Sequence, residues 1–213
     1  MGYKSVRCVA NARDDRRTGA TPGSGPAGRT DPFARSNGLF QPLSDAEAIR
    51  RVRRASIEGL GSAAYDPKQV AAWARGTESA DYAAAIESDD RYFAVAEGPE
   101  TGDESEGEAD VLGFGSVHLE PPAEYEASVN AEVTAVYVHP RVARRGVGTE
   151  LLVAVEREAR NRDIGTLGLS ASLNARAFYE HHGYDRARSY DHEFSESEST
   201  GVTGEVVEMA KNL

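Results

Sequence analysis

Apolar residues spaced three and four apart predict the helices of this chain, and alternating ones predict its strands. A short strand is expected at 39–43. Behind Ser44 or Asp45, either of which can cap, Ile49, Val52, Ala55 and Leu60 follow helical spacing. Arg50, Arg51, Arg53 and Arg54 fall largely on the outer face of that helix, where they solvate it. Asp66-Pro67 starts a second helix that carries Val70, Trp73 and Ala74 inward, and a third is expected over 79–86. Tyr65, Trp73 and Tyr82 in this region are core residues or the lining of a pocket.

Strand patterns follow at 91–97 and 111–120, separated by an acidic, glycine-rich loop at 98–110 that is expected to be mobile. The next strand covers 131–138. A helix over 149–161 has Leu151, Leu152, Val155 and Ala159 on one face and Glu150, Arg157, Glu158 and Arg160 on the other, so it packs on a sheet. After a strand at 165–170 and a short helix, strands at 184–194 and 205–209 close the pattern. This order suits an α/β (α+β) fold, a mixed twisted sheet with helices on both sides.

The first 38 residues stand apart. They are rich in Gly, Pro, Arg, Thr and Asp, and hold seven basic residues against three acidic ones. We read 1–38 as a disordered basic leader and 39–213 as a single domain. Without interleaved aromatics the leader is not a nucleic-acid arm. No apolar run reaches the length of a membrane span and no signal-peptide core follows Met1, so a cytoplasmic protein without membrane or nucleic-acid partners is expected. Cys8, the only cysteine, excludes an internal disulfide and a cysteine-rich metal site. The net charge is −11, and only three of the 24 basic residues are lysines. An acidic, lysine-poor surface suits a halophilic source, or the attraction of cationic substrates.

The chemistry concentrates at 136–152, where a strand end, a basic glycine turn and a helix start are continuous. A helix start leaves backbone N–H groups unpartnered and carries partial positive charge, so an anion bound there satisfies both. Gly146 and Gly148 let the main chain approach it, and Arg144 and Arg145 add donors suited to phosphate. No Lys-Ser or Lys-Thr follows, as a Walker loop would require, and the third glycine of a dinucleotide fingerprint is missing. A second cluster, Asn174-Ala-Arg-Ala-Phe-Tyr-Glu-His-His-Gly-Tyr184, reads as a short helix between an Asn174 N-cap and a left-handed Gly183.

Together the two stretches resemble the GNAT superfamily of acetyl-CoA-dependent N-acetyltransferases. The first is similar to its Gln/Arg-x-x-Gly-x-Gly/Ala cofactor motif, with Ala143 where the superfamily usually has Gln or Arg. The second is similar to its Asn-x-x-Ala-x-Phe-Tyr-x-x-x-Gly-Phe/Tyr motif. The resemblance implies a mostly antiparallel sheet with a splayed central strand pair, acetyl-CoA as co-substrate, and acetyl transfer to a small-molecule amine or a protein N-terminus. Homodimers are common in the superfamily. It also implies cofactor contacts from the backbone of Val136, Tyr137 and Val138, from Arg144, Arg145, Gly146, Val147, Gly148 and Thr149, and from Asn174.

By the same resemblance Tyr179 is the general acid that protonates the leaving thiolate; its other reading is a packing aromatic beside Phe178. Glu132 matches a general-base glutamate of some members, and strand alternation puts it on one face with Thr134, Val136 and Val138. It also reads as an exposed edge residue, with His118, His139, His181 and His182 as substitutes. Adjacent His181 and His182 diverge on a helix and do not form a metal pair, and no metal is indicated. The competing functional class is a non-catalytic acyl-CoA-binding module.

Overall fold

The computed structural model describes residues 5–9, 42–98, 110–194 and 201–213. Among these residues seven strands form one sheet in the order β1-β2-β3-β4-β5-β7-β6. They are β1 (Ser5–Val9), β2 (Arg91–Glu97), β3 (Val111–His118), β4 (Ala131–Val138), β5 (Thr166–Ser172), β6 (Asp185–Glu193) and β7 (Thr203–Asn212). All neighbours pair antiparallel except β4 and β5, which are parallel. The five helices of the described residues are α1 (Pro42–Leu60), α2 (Pro67–Ser79), α3 (Tyr82–Glu87), α4 (Val147–Asn161) and α5 (Arg176–His181).

One face of the sheet is covered by α4, whose Leu151, Leu152, Val155 and Ala159 are buried against Leu112, Val133, Leu167 and Met209. The stripe predicted for this helix is therefore the one it buries. Glu156 is also buried on α4, where its carboxylate accepts from Lys211 Nζ at 2.7 Å. The opposite face holds α1 and α3, with Ile49, Val52, Tyr82 and Ile86 packed on Phe93, Val95 and Phe114. At the start of α2, Asp66 accepts from Gln69 N–H at 2.9 Å and Gln69 Oε1 accepts from Asp66 N–H at 3.0 Å. This reciprocal pair, with Pro67 in the first turn, is why the helix begins where its sequence signal placed it.

Several expectations need correction. Ser5–Val9 is not part of an unfolded leader. It adds an edge strand to β2, and Arg7 ion-pairs with Asp45 of α1 and Glu97 of β2. Val6 and Val9 are buried there, a pattern too short to stand out against the polar residues after it. The rest of the 1–38 segment lies outside the described residues, as do 99–109 of the acidic loop. Of the strand expected at 39–43, residues 39–41 also lie outside, and Pro42 and Leu43 belong to α1. Helix α1 thus starts before both proposed caps, and α4 starts at Val147, two residues earlier than expected.

Candidate active site at the strand fork

Strands β4 and β5 pair only at Ala131↔Leu167 and Glu132↔Gly168, although β4 continues to Val138 along β3. Beyond Glu132 the two strands diverge, and the β5-facing backbone groups of β4 have no strand partner among the described residues. This is the splayed central pair. It leaves N–H donors available in the middle of the sheet, where an oxygen bearing developing negative charge could be held.

Within β4, Ser116 pairs with Ala135 and Val117 with Val133, so Thr134 is an extra residue. The resulting bulge reverses the alternation. Ala131, Val133, Val136 and Val138 all face the α4 side, whereas Ala135 and Tyr137 face α1. Glu132 therefore points to the opposite side from Val136 and Val138, which corrects the expectation that they share a face. On the α1 side the Tyr137 ring stacks on Phe114 at 5.5 Å and lies under the Arg53 guanidinium at 5.6 Å. Arg53 is thus engaged with this wall rather than only solvating α1, and its Nη1 donates to Tyr82 Oη at 2.9 Å.

After β4 the chain makes a tight 3-10 turn, Pro140–Val142, and reaches Arg144 at φ 62 and Gly146 at φ 87. Both are left-handed, a conformation glycine adopts without a Cβ penalty. Gly146 is the N-cap of α4 and supplies no side-chain hydrogen bond, so the first N–H groups of this 15-residue helix are left for another acceptor. Arg144, Arg145 and Gly146 are exposed around this start. A Cβ on Gly146 would meet nothing within 4 Å, so the turn is open on that side.

Helix α5 closes the same side. Phe178 lies 3.5 Å from where a Cβ on Gly148 would be, and His182 joins the two helices. His182 Nδ1 is 2.7 Å from Phe178 O and its Nε2 is 3.1 Å from Thr149 Oγ1. Nδ1 must donate to the carbonyl, so in the neutral ring Nε2 is the atom that accepts from Thr149. Asn174 is not the N-cap expected of it: α5 begins after Ala175, and no side chain among the described residues caps it. Instead Asn174 Oδ1 is buried with no hydrogen-bond partner among the described residues. A buried acceptor left unmatched fits an N–H donor from outside the protein, such as an amide of a pantetheine arm. Gly183 has the expected left-handed φ of 83 after the helix.

Tyr179 is buried in the α4-side core beside Tyr184, at a ring separation of 5.7 Å. Burial first, then the neighbouring Tyr137, holds its phenol above the ordinary 10.0. It therefore keeps its proton throughout the neutral range, as a donor must. Glu132 lies half-buried on the other side of the fork and accepts from Tyr125 Oη at 2.6 Å.

The histidines offered as substitute bases are engaged elsewhere. His118 is 3.0 Å from Asp90 Oδ2, and His139 accepts from Arg141 N–H at 3.2 Å, with burial and then Arg141 lowering it below 6.5. His181 is exposed with its ring 5.3 Å from that of His182. Asp90, His118 and Glu120 bring donor atoms within 4.8 Å of one another, a grouping not visible in sequence because it joins two strand ends.

Above the fork, Tyr65 Oη donates to Glu205 O at 2.7 Å and accepts from Leu173 N–H at 3.0 Å, tying the α1–α2 connection to β7 and to the end of β5. Trp73 stacks on Phe194 at 5.4 Å. Tyr65 is thus core, as is Tyr82, although Tyr82 also lines a cavity of about 500 Å³ with Arg53, Arg91, Thr134 and Tyr137. Tyr125, Ser170 and the side chain of Tyr137 carry no signal in the sequence because they belong to no motif.

No curated protein sequence matches the chain. Among solved structures, a GCN5-related N-acetyltransferase from Rhodopseudomonas palustris, also designated a class-II aminotransferase, is similar at a TM-score of 0.61 and 28% identity. The match covers 80% of this chain and 91% of that one. The PaiA N-acetyltransferase of Thermoplasma acidophilum, in complex with coenzyme A, is similar at a TM-score of 0.55 and 18% identity over 80% and 94% of the two chains. The model of the acetyltransferase (GNAT) family matches residues 58–184, more than half of the chain and including the fork, the glycine turn and α5. The chain therefore belongs to the GNAT acetyltransferase family.

Proposed function

We propose that this protein transfers an acetyl group directly from acetyl-CoA to a primary amine, carried by a small molecule or a protein N-terminus. The observation that carries the reading is the fork itself. Strands β4 and β5 separate at Glu132, a protonated Tyr179 is held on the α4 side, and an uncapped helix start lies at the far end of β4.

Acetyl-CoA supplies an activated thioester whose diphosphate suits the N–H groups at Val147, Gly148 and Thr149. Arg144 and Arg145 add positive charge, and Asn174 Oδ1 accepts from the pantetheine arm. Unpaired β4 N–H groups near Val136, Tyr137 and Val138 polarise the carbonyl. Glu132 takes a proton from the ammonium acceptor, directly or through one water, freeing the nitrogen lone pair. As the amine attacks and the carbon–sulfur bond breaks, Tyr179 delivers its proton to the thiolate. The acid and the base arise from opposite faces of the sheet, so acceptor and cofactor approach the opening from different sides.

A panel of amines assayed for thiol release, run from low salt to molar KCl, tests the reading. Amine-dependent release supports it. Tight acetyl-CoA binding without release for any amine would favour an acyl-CoA-binding module.

A further inference from the structure

Glu132 is held by a residue from outside the strand that carries it. Tyr125, in the β3–β4 connection, donates its hydroxyl to Glu132 Oε1 at 2.6 Å and lies 3.0 Å from Ser170 Oγ. Ser170 Oγ is in turn 2.7 Å from Tyr190 Oη, so a chain of hydroxyls runs from Glu132 across β5 to β6. An ionised carboxylate accepts only, so Tyr125 must be the donor in the first contact. Burial first, then Glu132, raises the Tyr125 phenol, which keeps its proton on the tyrosine.

The seat for this ring is built in. A Cβ at Gly168 would come within 2.8 Å of two Tyr125 ring carbons and 3.0 Å of Val129, so the ring occupies the space a side chain would take. Gly168 is also the residue paired with Glu132 at the last rung before the fork opens. The connection that carries Tyr125 is pinned from below. Glu208, fully buried on β7, accepts from Ala127 N–H at 2.9 Å and from Arg188 Nε at 2.7 Å. Arg188 Nη2 donates to Glu124 O at 2.7 Å, and its guanidinium lies 4.9 Å from the centre of the Tyr190 ring. An ion pair with a fully buried carboxylate and a half-exposed guanidinium, which also binds two backbone groups of one loop, fixes where that loop can lie.

We propose that Tyr125 is a positioning residue for the acceptor amine's base. Its phenol fixes one oxygen of Glu132 at the mouth of the fork and leaves the other oxygen to face the acceptor. The inference rests on the reading of Glu132 as the base. The other titratable and charged groups on this face are His118, directly across on β3 and bonded to Asp90, Tyr190 beyond Ser170, and Glu208, which lies across from Ser170 on β7 and is paired with Arg188.

The test uses the full chain and the amine of highest turnover from the panel above. In Tyr125→Phe, kcat falls about 10-fold, a fraction of the 10²- to 10⁴-fold worth of a general base. The KM for acetyl-CoA stays unchanged, and the acid limb of the kcat/KM profile moves to higher pH. Glu132→Gln loses about 100-fold or more. Incorporation of 3-fluorotyrosine at 125 keeps the ring and the fold while strengthening the donor, and moves the acid limb to lower pH. An unmoved limb in both Tyr125 variants, with Glu132→Gln still impaired, overturns the positioning role alone. Full activity of Glu132→Gln overturns the base assignment and this inference with it, and wild-type inactivity towards every amine overturns the transfer reading itself.

Discussion

Tyr179 and Asn174 are the residues whose environments speak most directly to chemistry. Because burial keeps the Tyr179 phenol above 10.0, the rate should show no alkaline fall from loss of this proton below pH ~10. A kcat profile that declines with a midpoint near the thiol range, about 8.5, would contradict the assignment. Asn174 makes a prediction with two opposite signs. Its buried Oδ1 has no partner among the described residues, so Asn174→Ala should leave thermal stability unchanged or raise it. The same change should weaken acetyl-CoA binding by about 0.5–1.5 kcal/mol, measured by calorimetry. Both residues were legible in sequence because they belong to a short contiguous motif. Tyr125 was not, since its role comes from a loop folding back over Gly168, forty-three positions away in the chain.

At the scale of elements, the fork and the glycine turn each depend on one local departure from regularity. Gly146 has φ 87 and open space around its Cα, so Gly146→Ala costs only the left-handed penalty of about 1–2 kcal/mol. Denaturant unfolding without ligand should show that loss. A larger one would mean that the turn is packed more closely than the structure shows. Gly168→Ala should act through sterics instead, displacing Tyr125 and depressing turnover more than stability. A glycine pair between a strand and a helix is common for conformational reasons alone, and the turn was readable as a site only because the cluster at 174–184 follows it. The bulge at Thr134 was not, because strict alternation is the default reading of a strand and one inserted residue reverses every side chain after it. That insertion puts Val136 and Val138 on the face away from Glu132, which stays on the Tyr125 side.

Across the whole molecule, strand and helix periodicity set out the architecture well where the elements are long. Strands β2 and β4 lie where the alternation placed them, and α4 buries its predicted stripe. The edge strand β1 escaped notice because five residues with two buried valines carry little signal beside a polar, glycine-rich stretch. Its attachment through Arg7 to Asp45 and Glu97 predicts that Arg7→Ala lowers the melting temperature, since Asp45 is buried and would lose its guanidinium. A net charge of −11 adds a global term. Self-repulsion of the acidic surface is screened by salt, so the melting temperature should climb steadily towards molar KCl. A melting temperature indifferent to salt would remove the argument for a halophilic setting. No helix among the described residues is long and apolar enough to cross a membrane.

The proposed acetyl transfer turns on a proton passing from a buried phenol at one side of an open strand pair to the departing thiolate. Its most direct test is the turnover of Tyr179→Phe at saturating acetyl-CoA and amine, with acetyl-CoA binding measured on the same protein. The expected result is a kcat at least about 100-fold lower with unchanged binding. A variant that turns over at the wild-type rate would contradict it.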